Sequence, residues 1–241
     1  MENKRFNEPS YAEFYNKRQI DSGYPGKLLD VVSENVTGCR TILDIGSGTG
    51  FFSIPLAKKG LDITAVEPSA PMTEQMMKEC PPEFCNKITV QNLKWEEWTG
   101  PFHDCALSIH SLYTIKNPNA AVEKMIKYSG KRIVIIRDTT EMKTLSGIIR
   151  EQLCSENSRD LNPLIETLLK KEGMNYKKIN VSEKREHLIL DPAIETESLL
   201  FQLKLGKEYF HQILSIIKEN THTVSSGLIY DSLFSDNVWI F

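Results

Sequence analysis

Short apolar runs alternate with amphipathic stretches along the first 140 residues. Tyr11, Phe14, Tyr15 and Arg18 recur at i, i+3, i+4 and i+7, the spacing of one helix face. A turn over Gly23–Gly26 separates that helix from a second one carrying Leu28, Leu29, Val31 and Val32. Ile42, Leu43 and Ile45 form a strand that runs into glycines at 46, 48 and 50. A helix follows through Phe52, Ile54, Leu56 and Ala57, and Gly60 stops it. Strands are predicted at 62–67, 87–91, 104–109 and 131–138, with helices at 69–79 and 118–127 between them. Pro71 suits a first helical turn and Pro81-Pro82 ends that helix. The unbroken run Ile133-Val134-Ile135-Ile136 is what a parallel strand buried on both faces shows. Strands alternating with helices in this rhythm make βαβ units and a parallel sheet.

From Thr139 onward the pattern is less regular. Helices are expected over 146–153 and 163–171, the second capped by Gly173, and 178–190 alternates as a strand. Asp191-Pro192 opens a helix to about Leu203, and Tyr209, Phe210, Ile213, Leu214, Ile216 and Ile217 mark another. Two closing strands are expected at 227–230 and 238–241. The helices between the last strands read as an insertion that roofs the active site. No repeat, low-complexity tract or linker interrupts the chain, so 1–241 is expected to be one domain: helices at 1–35, a core at 36–138, and C-terminal strands with a helical insertion at 139–241.

Composition narrows the classes. The 241 residues are 40% hydrophobic and 25% charged, as in a soluble globular chain long enough to bury a core. A net charge of −3 makes nucleic acid an unfavoured partner. The start of the chain has no apolar signal segment, and no apolar run approaches a membrane span, so a cytoplasmic protein without membrane partner is expected. The five cysteines are an odd number without C-x-x-C pairs, which points to reduced thiols and to no metal site. Nothing in the chain fixes an oligomeric state.

The chemistry concentrates at the first glycine turn. Asp44-x-Gly46-x-Gly48-x-Gly50 lets a ligand approach bare backbone beside the free N–H groups and positive end of the next helix. Asp62-Ile63-Thr64-Ala65-Val66-Glu67 then ends a strand in an acid placed to accept from both hydroxyls of a ribose. An acidic G-x-G-x-G turn with a strand-end acid resembles the first motifs of the class I S-adenosylmethionine (SAM) dependent methyltransferases.

That resemblance rests on residues 41–69 and, more loosely, on the strand rhythm to 137. It implies a Rossmann-like α/β fold: a doubly wound, seven-stranded sheet with helices on both faces and a terminal antiparallel edge strand. It implies SAM as cofactor and a small-molecule methyl acceptor as partner. Gly46, Ser47, Gly48 and Gly50 would approach the methionine part, Asp44 would anchor the turn, and Glu67, with Pro68 behind it, would hold the ribose. The Ser108 backbone would accept from the methionine ammonium, and Met72 would lie against the adenine. Family members often carry an Asp after the third strand for the adenine amino group. Here that slot holds Lys94, followed by Trp95 and Glu96, a departure that leaves Glu96 or backbone carbonyls to make the contact. The N-terminal helix becomes a lid, in which Tyr15 reaches the cofactor and Tyr11 the substrate.

Past the fourth strand, Ser108-Ile109-His110-Ser111 is not the tetrad that nucleobase amino methyltransferases tend to carry. His110 and Tyr113 are the candidates to face the transferred methyl, since an imidazole can take a proton from a hydroxyl, thiol or amine near neutral pH. A histidine bonded to a loop carbonyl is the structural alternative. Arg137, closing the fifth strand, can hold a substrate carboxylate or phosphate, or pair with Asp138 or Glu141. Other readings stay open: an RNA methyltransferase, a nicotinamide-dependent oxidoreductase, which the glycine spacing disfavours, or a non-catalytic module with this fold.

Overall fold

Neighbouring residues on a strand point to opposite faces of a sheet, and the strands of this chain carry apolar side chains on both. The computed structural model, which describes residues 4–154 and 160–241, shows where those faces go. Helices α1 (Pro9–Asp21) and α2 (Lys27–Asn35) lead into β1 (Thr41–Ile45), α3 (Ser53–Lys58), β2 (Asp62–Val66), α4 (Ala70–Glu79), the short α5 (Pro82–Cys85) and β3 (Ile88–Gln91). Then come β4 (His103–Ile109), α6 (Pro118–Tyr128), β5 (Ser129–Arg137), α7 (Leu145–Leu153), α8 (Asn162–Lys171) and β6 (Lys177–Ile189). The chain closes with α9 (Pro192–Leu203), α10 (Phe210–Glu219), β7 (His222–Val224) and β8 (Gly227–Ile240).

The strands order as β3-β2-β1-β4-β5-β8-β6, with β7 paired to β8 outside that path. β1 to β5 are parallel and β8 runs antiparallel to β5. The order reverses between β1 and β4, and at such a switch the carboxyl ends of neighbouring strands open a crevice for a ligand.

Two compact units divide the chain: one of residues 1–137, 161–181 and 236–241, the other of 138–160 and 182–235. In the first unit Ile42, Ile63, Leu107, Ile133 and Ile135 pack with Leu28, Val32, Leu56 and Met76 on one face of the sheet. Leu43, Ile45, Val66, Ala106, Val134 and Ile136 pack with Val122, Met125, Leu168 and Trp239 on the other. Each fully buried Leu or Ile contributes about 1.5–3 kcal/mol. The second unit closes around Leu145, Ile149, Leu199, Ile213, Ile217 and Tyr230. Helix starts follow the sequence signals: Ser69, Asn117, Thr144 and Asp191 each accept a backbone N–H of the helix they cap.

Two details differ from the sequence expectation. The sheet has eight strands instead of seven, because the three-residue β7 folds back on β8 and is too short to show a period. The two expected closing strands are one strand, β8, which lies between β5 and β6 and is not the edge. The polar stretch between them reads as a loop, yet Ser235, Asp236 and Asn237 are buried. Such groups stay in a sheet only when hydrogen-bonded. Ser235 Oγ lies 3.1 Å from Ser182 Oγ, and Asn180 Nδ2 donates to Asn237 Oδ1 at 3.4 Å.

Candidate functional site

The glycine turn bends back on itself at the end of β1. Gly46 N–H donates to Val66 O at 2.7 Å, and Gly50 N–H to Ser47 O at 3.0 Å. Gly46 has φ +71° and a Cβ there would meet Ser111 Cβ at 2.4 Å, so both backbone conformation and space require glycine. A Cβ at Gly50 would strike Met76 Cγ at 2.4 Å. The turn therefore packs against the loop after β4 on one side and against α4 on the other.

Two carboxylates set its shape. Asp44 Oδ2 accepts from Ser53 Oγ at 2.6 Å, pinning the end of β1 to the first residue of α3. Burial pushes the Asp44 carboxyl up to about 6; the Ser53 hydroxyl opposes this and the charge of Glu67 adds to it. Glu67 Oε2 accepts the Gly48 N–H at 3.1 Å and its Oε1 the Ser69 N–H at 3.0 Å. The strand-end acid thus sits directly on the glycine turn. Burial raises its carboxyl too, against the pull of the Ser69 and Gly48 N–H groups. Asn92 fixes the far side, donating to Glu67 O at 3.2 Å and to Thr73 Oγ1 at 2.8 Å.

A cleft of about 340 Å³, counted out to open solvent, lies over this turn. Asp44, Gly46, Ser47, Gly48 and Thr49 form its floor, with Tyr15, Tyr24, Phe51, Phe52 and Ile109 around it. Ser47 Oγ and Thr49 Oγ1 are buried there without a hydrogen-bond partner. Buried hydroxyls lacking partners are uncommon.

Of the residues singled out in the sequence, the structure brings Tyr15, Asp44, Gly46, Ser47 and Gly48 to the cleft and Glu67 to its turn. Met72 is buried, and its Cε would lie 3.6 Å from a Cβ at Gly48. Pro68 links Glu67 to Ser69, whose hydroxyl caps α4 and donates to Phe6 O. Ser108 is buried at the end of β4, its Oγ 2.7 Å from Ser111 Oγ.

Other expected contacts are absent from it. Trp95 is 3% exposed, stacks on Trp98 at 5.3 Å, and donates its indole N–H to Ala121 O at 3.1 Å. That position belongs to the core, because an indole with its N–H satisfied packs as a large apolar group. Lys94 and Glu96 are exposed on the loop around it. Tyr11 is buried in a ring cluster, 5.3 Å from Phe6 and 6.1 Å from Phe14. The Tyr113 hydroxyl accepts the Arg137 backbone N–H at 2.8 Å, a bond that joins the loop after β4 to the end of β5.

His110 follows Ile109 in a left-handed conformation, φ +54°, with its N–H donated to Ile135 O at 3.1 Å. A non-glycine residue adopts this conformation seldom, and such residues cluster at functional sites. Its Nε2 lies 3.5 Å from Asp236 Oδ1, and the two side chains are 15% and 9% exposed. Burial holds the imidazole well below its usual range, and the positive charge of Arg137 adds to this. Burial also pushes the Tyr15 and Tyr24 phenols up, with the Arg137 guanidinium opposing it in both. One cation thus acts on two phenols and an imidazole at the end of the sheet.

Asp236, Tyr24 and Thr49 are the residues the sequence reading passed over. Tyr24 sits in a turn motif, Tyr24-Pro25-Gly26, that gives no functional signal. Thr49 is an unmarked position between two glycines. Asp236 lies within β8, in a polar stretch that reads as a loop and whose strand direction no local pattern reveals.

Among the described residues, no group of three His, Cys, Asp or Glu could hold a metal ion, and no helix is long and apolar enough to cross a membrane.

A model of the family described as methyltransferase domain matches residues 12–162. Magnesium-protoporphyrin O-methyltransferase of Rhodobacter capsulatus is 34% identical over 62 residues, 26% of this chain and 27% of that protein. Carboxy-S-adenosyl-L-methionine synthase of Nautilia profundicola is 26% identical over 220 residues, 83% of this chain and 88% of that one. The solved structure of magnesium protoporphyrin IX methyltransferase from Synechocystis PCC 6803 with bound S-adenosylhomocysteine superposes with a TM-score of 0.57. It shares 13% identity and covers 98% of this chain and 96% of its own, a likeness of fold.

Proposed function

The chain belongs to the methyltransferase domain family, in its class I SAM-dependent branch, and we propose that it transfers a methyl group from SAM to a small-molecule acceptor. The observation that carries this reading is the bond between Glu67 and Gly48: the strand-end acid sits on the glycine turn that lines the cleft. The cleft fits the group. Ser47 and Thr49 offer buried hydroxyls without partners, the turn at Gly46–Gly48 lines the cleft, and Asp44 offers a carboxyl for a cationic ligand.

When bound, SAM supplies a methyl on a sulfonium, already electrophilic. The residues of this chain have four tasks toward it. Glu67 exchanges its bond to Gly48 for ribose hydroxyls. The turn approaches the methionine part and Asp44 balances its ammonium. Tyr15, Tyr24 and Phe52 exclude water, which strengthens every charge interaction inside. His110, kept neutral by burial, accepts a proton from the acceptor, and Arg137 holds an anionic part of it.

The acceptor assignment rests on the net charge of −3, since nucleic-acid domains usually carry a high pI or a basic stripe. A cytoplasmic location accords with the composition.

Isothermal titration with SAM and S-adenosylhomocysteine tests the site. Glu67→Ala should weaken binding by about 1.5–3 kcal/mol, the worth of hydrogen bonds to a charged group. That is roughly 10- to 100-fold in Kd. Unchanged affinity would remove Glu67 from this role.

The span of the carboxy-SAM synthase relative favours a second reading, in which the product is a modified cofactor. Mass spectrometry of the nucleoside products separates the two. Methyl transfer yields S-adenosylhomocysteine, whereas synthesis of that kind yields carboxy-SAM.

A further inference from the structure

The carboxyl ends of β4 and β5 hold a buried acid and a largely buried imidazole that the sequence did not associate. His110 comes from the middle of the chain and Asp236 from near its C-terminal end. β4 and β5 pair Ile109 with Ile135, and β5 and β8 pair Arg137 with Asp236, which brings the end of β4 beside the beginning of this part of β8. The left-handed turn at His110 takes its side chain off the alternating faces of β4, and the bond to Ile135 O holds the turn. Nε2 then lies 3.5 Å from Asp236 Oδ1, within ion-pair range and a few tenths of an ångström longer than an ordinary N–H···O bond. Catalytic hydrogen bonds are often this long before ligands bind. Nδ1 is buried and has no hydrogen-bond partner. On the cleft side, the Tyr24 ring centre lies 6.2 Å from that of the imidazole, and Tyr24 and Ile109 both line the cleft.

A neutral imidazole has one N–H and one lone pair, and the partner of one nitrogen decides the state of the other. A carboxylate facing Nε2 accepts its N–H. Nδ1 then keeps the lone pair, the nitrogen for which no protein group provides.

We propose that Asp236 is the positioning residue for His110, accepting Nε2–H so that Nδ1 is the proton acceptor for the methyl acceptor's nucleophile. This deepens the methyltransferase reading and rests on it for the identity of the reaction. In the step, His110 Nδ1 takes the proton of a hydroxyl, thiol or amine as that atom's electron pair forms its bond to the methyl carbon. The carbon–sulfur bond breaks with its pair returning to sulfur, and the imidazolium afterwards gives its proton to water. Asp236, facing Nε2, stabilises the imidazolium. Arg137, Tyr24 and Asp236 are the charged or titratable groups acting around this histidine.

Nuclear magnetic resonance of the full chain labelled with ¹⁵N-histidine tests the pair without any acceptor. The chain has five histidines, and His110→Gln assigns the resonance. The wild type should show His110 at neutral pH as the neutral Nε2–H tautomer, with a low-field N–H in slow exchange with water. Asp236→Asn should speed that exchange at least roughly tenfold, because a carbonyl is a weaker acceptor than a carboxylate. Its affinity for S-adenosylhomocysteine should stay within about twofold of wild type, since Asp236 is no part of the cofactor seat. An Nδ1–H tautomer in the wild type would overturn the proposal by itself, whether or not any variant folds. An exchange rate untouched by Asp236→Asn would overturn it as well. Failure of the wild type to bind S-adenosylhomocysteine would instead sink the methyltransferase reading, while the two resonance criteria would still decide the His110–Asp236 relation.

Discussion

Asp44 offers the sharpest test of the cofactor seat, because the same burial that readies it for a cation burdens the fold without one. Its carboxyl is moved from 3.8 to about 6 in the folded chain. At 1.36 kcal/mol per pH unit, the ionised form is disfavoured in the fold by up to about 3 kcal/mol. The folded-state value lies above the unfolded one, so between the two the native chain binds more protons. Stability owed to this group is therefore greatest below about pH 4, falls as pH rises toward 6, and is level above that. Asp44→Asn removes the charge and keeps an oxygen to accept from Ser53. The variant should be more stable than wild type by about 1–3 kcal/mol near pH 8, with the difference vanishing near pH 3. At roughly 2–4 °C per kcal/mol for a chain of this size, thermal melts resolve the difference. A difference that does not change with pH, or a variant less stable near pH 8, would refute the argument. The same reasoning predicts that binding of S-adenosylhomocysteine near pH 6 releases protons, since an arriving ammonium favours the carboxylate. Calorimetry in buffers of different ionisation enthalpy would read this as a buffer-dependent heat, absent in Asp44→Asn.

Two further substitutions probe the frame around the site. Gly46→Ala combines a φ of +71° with a Cβ 2.4 Å from Ser111 Cβ, and should cost about 2 kcal/mol or more in chemical denaturation; a neutral result would mean that the loop after β4 moves freely. Asn162 donates to Arg137 O at 3.0 Å and accepts the Trp239 indole N–H at 3.0 Å, so Asn162→Ala leaves a buried donor and acceptor unmet and should cost about 2–4 kcal/mol, whereas a loss under about 0.5 kcal/mol would show that neither bond matters.

The parts of the fold that were legible are those where period and punctuation agree. The strands β1, β2 and β5 and the helices opening at Ser69, Pro118 and Asp191 fall where apolar spacing and capping residues place them. The cofactor turn was legible for the same reason: its glycines are fixed by backbone conformation and by contacts to Ser111 and Met76, and local demands leave local signs. Trp95 and Tyr11 show the limit. An aromatic residue reads alike whether it stacks on a ligand or on Trp98, and only the tertiary neighbours decide. Tyr113 illustrates the same ambiguity for a hydroxyl, which here satisfies a backbone N–H that no sequence pattern announces.

Asp236 was illegible for a reason of direction. In an open α/β sheet the ligand crevice lies outside the carboxyl ends of the strands, so a search for site residues looks just past the end of each one. Applied to β1, β2 and β4, that rule points to the glycine turn, Glu67 and His110, the residues proposed for the site. β8 is antiparallel to β5, with Arg137 opposite Asp236 and Ile133 opposite Ile240. Reversal puts the first residue of the β8 segment paired with β5, not the last, beside the carboxyl end of β5. A residue positioned to act there must therefore precede the apolar stretch Val238–Ile240, where the polar run hides it among loop-like neighbours. An antiparallel insertion next to the crevice lets a strand supply the site with a side chain held on both flanks by a sheet, more rigidly than a loop would hold it. That rigidity is what a carboxylate needs if it is to fix one tautomer of a neighbouring imidazole, and it is why the burial of Asp236 is informative where its place in the sequence is not.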